Sequence, residues 1–137
     1  MNYEEAASVL RTRFEAAWAD RTPKAMPNVG FDPAVDAPNG TYVKFNIGTA
    51  GADQVASGAP GNNPHRHYGM VTIEVYAPEN EGDADAHALA DAACAVFRGF
   101  KSGHLRCRLP PFERTLGNDR GSYRVNVMAP FEFDGFF

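Results

Sequence analysis

Cysteine is scarce in this chain. Its 137 residues hold two, Cys94 and Cys107, too few for the disulfide framework that staples small secreted domains. The reading below places one on a helix and the other on a strand, so two free thiols in a reducing compartment are expected. Cys107 alternates with Leu105 and Leu109 and should point into the core, which argues against a nucleophile. Positive charge is also short. Thirteen Lys and Arg against seventeen Asp and Glu leave a formal net charge of -4, which argues against general affinity for nucleic acid or anionic membranes. No apolar stretch approaches the roughly 20 residues of a bilayer span. The opening Met1-Asn2-Tyr3-Glu4-Glu5 lacks the basic and apolar regions of a signal peptide, so a cytoplasmic location is expected. Catalytic signatures are missing too: no GxSxG, Walker A loop, HExxH, CxxC or Rossmann glycine pattern occurs. No cofactor is expected and no enzymatic activity is predicted.

What is present suits one globular domain over residues 1–137, with 44% hydrophobic and 22% charged residues. A chain of this size buries roughly 70% of its unfolded surface and folds without a staple. Tyr3, Ala7, Leu10, Phe14 and Ala17, with Trp18 beside them, form an apolar stripe that predicts a helix from about Tyr3 to Ala19. Asn2 and Glu5 form a capping box, and Pro23 bounds the far end. A short extended piece around Met26–Phe31, interrupted by proline, suits an edge strand. After the Asn39-Gly40 turn, Val43, Phe45 and Ile47 alternate with Tyr42, Lys44 and Asn46 as a half-buried strand.

Residues 48–64, GTAGADQVASGAPGNNP, read as a long loop that is disordered or held by a partner. Val71, Ile73, Val75 and Ala77 then alternate with Met70, Thr72, Glu74 and Tyr76, so strand, loop and strand make a long hairpin. Asp83 or Asp85 can cap a second helix, with Ala86, Leu89, Ala93, Val96, Phe97 and Phe100 as its stripe and an end near Gly103. Leu105–Leu109 and Tyr123–Phe131 alternate as two further strands. The expected fold class is α+β: a mainly antiparallel sheet with two helices packed on one face and a long hairpin loop.

His65 and His67 are the best metal candidates, since residues two apart on a strand share a face. No pattern marks a third ligand, Glu74 being the only nearby acid considered, and a solvated strand start explains them more simply. Asp83 and Asp85 are accounted for by a helix N-terminus. Charge asymmetry is more informative. Glu79 to Asp91 carries five acids and no Lys or Arg, whereas Arg98 to Arg114 carries five Lys or Arg and one acid. Opposite patches on one subunit suit head-to-tail pairing of copies, which closes into a ring when the rotation allows. The expected contacts are Arg98, Lys101, Arg106 and Arg108 against Glu79, Glu81, Asp83 and Asp85 of a neighbour, with the loop from Asp53 to Asn62 reaching a further partner.

The element order and several phrases carry a resemblance. The opening helix, YVKFNI, the glycine-rich connection into HRHYGMVTIEVYAP, the helix ADAHALADAACAVFRGF and the closing SYRVNVMAPFEF together resemble the tail terminator-like proteins (minor tail protein U-like) of long-tailed bacteriophages and prophages. The most recognisable parts are G-x-V-x-I-x-V-Y-A-P, Gly69 to Pro78, and the phrase from Tyr123 to Phe131. The resemblance implies a structural protein that assembles as a ring, typically a hexamer, on the tail tube, stops its polymerisation and offers a surface for head attachment. Its implied partners are copies of itself, the tail tube protein and the head-tail connector proteins, met in the host cytoplasm during assembly and in the virion tail. The motifs assign no individual binding residue. A related neck or tail-completion protein would share the fold, and a metal-dependent enzyme using His65, His67 and Glu74 is the distant alternative.

Overall fold

The computed structural model describes residues Met1–Phe137. Asn2 opens the first helix, α1 (Tyr3–Trp18), its side-chain oxygen accepting the Glu5 N–H at 2.9 Å. Ala6, Leu10, Phe14 and Trp18 are its buried stripe, one residue round the helix from the expected Ala7, and Tyr3 stays 47% exposed. A two-residue strand β1 (Lys24–Ala25) and one turn of helix α2 (Pro33–Asp36) follow. The extended piece expected at Met26–Phe31 is therefore displaced. Pro27 interrupts it, and β1 pairs parallel to the next strand two residues earlier.

Strands β2 (Tyr42–Gln54) and β3 (Pro64–Pro78) form the long antiparallel hairpin. Its arms run further than the composition of residues 48–64 suggests. Gln54 pairs with His65 and only residues 55–63 connect the strands, with a bulge at Thr49–Gly51. Helix α3 (Ala84–Phe97) has Asp83 at its cap position without a side-chain cap bond. It ends before Gly99, whose φ of 66° is the left-handed conformation that glycine adopts freely, and so earlier than Gly103. Two short strands β4 (Lys101–Ser102) and β5 (Leu105–Arg106) lead to β6 (Phe112–Asp119) and β7 (Ser122–Phe136). Because β5 stops at Arg106, Leu109 does not share the burial of Leu105 and Cys107 and is 62% exposed.

The sheet order is β1-β2-β3-β7-β5-β4, with β6 pairing β7. β3 and β7 are antiparallel along all fifteen residues of each, from Pro64 opposite Phe136 to Pro78 opposite Ser122. Since successive side chains point to opposite faces, odd-numbered Val71, Ile73, Val75, Val125, Val127, Ala129, Phe131 and Phe133 share one face and are buried. α1 and α3 pack on that face. Ala86, Ala90 and Ala93 let α3 approach the sheet closely, while Phe14 stacks on Phe45 at 4.7 Å and on Trp18 at 5.6 Å. Arg13 ties the two helices, its Nε donating to the Val96 carbonyl at 2.9 Å. The fold is α+β, mainly antiparallel, with both long helices on one side of the sheet.

Gly69 sits directly opposite Phe131. A Cβ there would meet the Phe131 ring at 2.3 Å and the Gly48 carbonyl at 2.6 Å, so the aromatic ring fills the space a side chain would need. Gly69→Ala should destabilise the fold by about 1–3 kcal/mol through overpacking, read as a fall in thermal midpoint. An unchanged midpoint would show that this approach does not constrain the sheet.

Candidate functional site

The even-numbered residues of β3 and β7 lie on the face that carries neither α1 nor α3. At one end of it, Phe31 and Ala37, either side of α2, cover Tyr42 and Tyr76, whose rings stack at 4.5 Å. Along the middle run Met70, Thr72, Asn126 and Met128, all half-buried, flanked by exposed Phe112 on β6 and Tyr68 on β3. At the far end is an ion-pair ladder. Glu132 accepts from Arg106 at 2.9 Å, lies 2.7 Å from Arg108 and 3.7 Å from Arg66. Asp134 accepts from Arg66 at 2.9 Å and from Arg106 at 3.1 Å. β3, β5 and β7 present these groups side by side because Arg66 pairs with Asp134 and Arg106 with Glu132 in the sheet register. The hydrogen bond from Arg66 holds the Asp134 carboxyl below its ordinary range.

This ladder changes the standing of the basic patch. Arg106 spends its charge within the chain and is largely covered, whereas Arg98 and Lys101 are exposed and form no ion pair, and Arg108 keeps 61% of its side chain in solvent beside Glu132. Among the acids, Asp83 faces His87 at 3.5 Å, while Glu79, Glu81 and Asp85 have no partner in the chain. The acids lie at the start of α3, with Arg98 and Lys101 beyond its other end. A helix of this length separates them by about 20 Å, so the two groups do not meet within one molecule. Asp53 lies across from Arg66 at the open end of the hairpin, and Asn62 closes a turn on Ala59. Residues 55–62 are exposed, and the connection is anchored where Asn63 exchanges backbone hydrogen bonds with Phe137.

His65 and His67 share the helix face, as their spacing predicts; His65 is half-buried at the start of β3, whereas His67 is not solvated. His67 is 8% exposed, accepts or donates at Nδ1 with the Tyr3 hydroxyl at 2.9 Å, and stacks on Phe133 at 4.7 Å. Its Nε2 has no partner. His65 bonds the Asn63 carbonyl through Nδ1. Glu74 is on the opposite face, where it accepts from Tyr76 at 2.9 Å and lies 3.5 Å from Arg124. The three therefore cannot converge, and no cluster of three or more His, Cys, Asp or Glu exists that could hold a metal. Both cysteines are buried free thiols. Burial pushes Cys107 up to about 11 and raises Cys94 as well, so both stay protonated and unreactive near neutral pH. No helix is long and apolar enough to cross a membrane.

Two consequences can be measured. Glu132→Gln leaves three guanidinium groups around a neutral amide, and should cost about 2 kcal/mol of stability, detected as a lower denaturation midpoint with the same cooperativity. No loss would show the ladder to be energetically idle. Burial holds His67 below its ordinary value of 6.5. The unfolded chain thus binds the proton first, so this residue's contribution is complete above about pH 6.5 and is lost as pH falls toward the depressed folded value. His67→Phe should flatten the fall in stability between pH 7 and 5. An equal slope in both proteins would contradict the burial.

Seen against known proteins, the chain matches the family model described as phage tail terminator protein over residues 5–131. No curated protein matches it. One solved structure shares the fold with a TM-score of 0.68 and 20% identity, covering 96% of each chain. With nearly its whole length inside the family model, the chain belongs to the phage tail terminator family, and its role is that of a structural component of a phage tail.

Proposed function

We propose that this chain caps the growing end of the tail tube, stops polymerisation and prepares the tail for head joining, and that it does so as a homo-oligomeric ring, six copies being the expected number. The observation that carries the reading is the family match over residues 5–131. The geometry supports it in two ways. The sheet is clad on one face by α1 and α3, while the other presents half-buried Met70, Thr72 and Met128 with exposed Tyr68 and Phe112, a mixed surface suited to a neighbouring copy. The β2–β3 hairpin leaves residues Asp53 to Asn62 exposed, where they can reach the tube or the next subunit. Exposed Arg98, Lys101 and Arg108 and the acids Glu79, Glu81, Asp83 and Asp85 are the charged contact groups in this reading, with Arg106 acting through the ladder that orders Arg108's partner Glu132. All 137 residues act as one domain that carries out no reaction.

The partners are other copies, the tube protein and head-tail connector proteins, met in the host cytoplasm and retained in the virion tail. Electron microscopy of tails made without this protein tests the reading. Overlong tubes are expected. Tubes of normal length that lack heads would instead assign the chain to the neck joint, and tails of normal length carrying heads would end the proposal.

A further inference from the structure

On the helix-free face, at the end where the β3–α3 and β6–β7 turns lie, is a cavity of about 370 Å³ lined by Tyr42, Lys44, Tyr76, Asp119, Arg120, Ser122 and Arg124. The stacked Tyr42–Tyr76 pair forms part of its wall. Lys44 sits 5.2 Å and Arg124 4.9 Å from the Tyr76 ring centroid, so the aromatic surface holds both cations in place. Arg124 is anchored by Asp119 at 2.9 Å and lies 3.5 Å from Glu74, yet its Nε is buried without a hydrogen-bond partner. Lys44 and Arg120 make no ion pair in the chain. Three cations therefore face two in-chain acids, and two of the cations are unmatched.

The same end carries the reciprocal feature on the opposite side. After Pro78, opposite Ser122 in the register, the chain turns toward the helix layer through Glu79 and Glu81 to the start of α3. Glu79, Glu81 and Asp85 have no basic partner in the chain. Neither these acids nor Lys44 and Arg120 are paired within the chain, so the two sets are free to meet between copies, where opposite charges set partner and orientation. Such a contact is heterologous, the kind that gives a ring when its rotation closes. Pairing the same acids with Arg98 and Lys101 would instead join copies end to end along α3.

We infer that the Lys44–Arg120–Arg124 cavity is the socket for the acidic turn Glu79–Asp85 of a neighbouring copy, an inference that rests on the ring reading and names its contact. The particle's mass in solution, measured across protein concentrations and after incubation with tails made without this protein, is the test. Lys44→Glu with Arg120→Glu, and separately Glu79→Lys with Glu81→Lys, should each weaken assembly by about a hundredfold, and mixing the two variants should restore it because each supplies the charge the other's contact now needs. Restoration also shows that both variants fold. If the unaltered chain assembles and either variant assembles equally well, or mixing restores nothing, the socket is wrong while the ring stands. Chains that remain single at every concentration and on tails overturn both.

Discussion

The register between β3 and β7 is the constraint on which the rest of this molecule depends. Fifteen residues of each strand are locked in antiparallel pairing, and because side chains alternate strictly, a slip of one residue would exchange the two faces of the whole sheet. The large apolar side chains at odd positions fix the choice. Val71, Ile73, Val75, Val125 and Val127 are all fully buried against the helices, and the Phe131 ring occupies the space a side chain at Gly69 would need. The same lock places Arg66 beside Asp134 and Glu74 beside Arg124, and so determines which charges are satisfied within the chain.

That division of charges gives the structure its functional character. At the far end of the helix-free face every charge has a partner: Arg66, Arg106 and Arg108 each contact Glu132 or Asp134, Glu132 is 8% exposed, and breaking such a set costs more than forming it gains. The near end differs. Lys44, Arg120 and the acids Glu79, Glu81 and Asp85 of the β3–α3 turn form no ion pair within the chain, and in the proposed ring their electrostatic complementarity would set specificity and orientation between copies. Both thiols are buried, and His65 and His67 lie on the face opposite Glu74, so these groups are held apart by the alternation of the sheet.

Much of this was legible in the residues and some was not, for physical reasons. The alternation in VTIEVYA and the stripe Leu10, Phe14, Trp18 place the central strands and α1 correctly, because one face of each is packed against the core. β6 escapes notice: it is a sheet edge exposed along almost its whole length, and Glu113, Arg114, Asn118 and Asp119 give it no apolar period. The hairpin arms were hidden by glycine and alanine, which pair through backbone bonds without marking a buried face. Arg106 was legible as basic but not as engaged. The signal was present in the tail, where Phe131, Glu132, Phe133 and Asp134 continue the alternation past the expected end of the strand, putting two acids on the face of Arg106. His67 was misjudged because its burial comes from Tyr3, Phe133 and Phe137, all distant in sequence.

The family match and the fold describe a phage tail component whose two sheet faces differ, and the proposed ring requires that the face without α1 and α3 be covered by another copy. Hydroxyl-radical footprinting of the free chain and of the chain on finished tails addresses that claim directly. Oxidation of Tyr68, Met70, Phe112 and Met128 should fall several-fold on the tail, because a neighbour excludes solvent from the surface they share. Equal oxidation of these four side chains in both states would mean that the face stays open, and the account would fail.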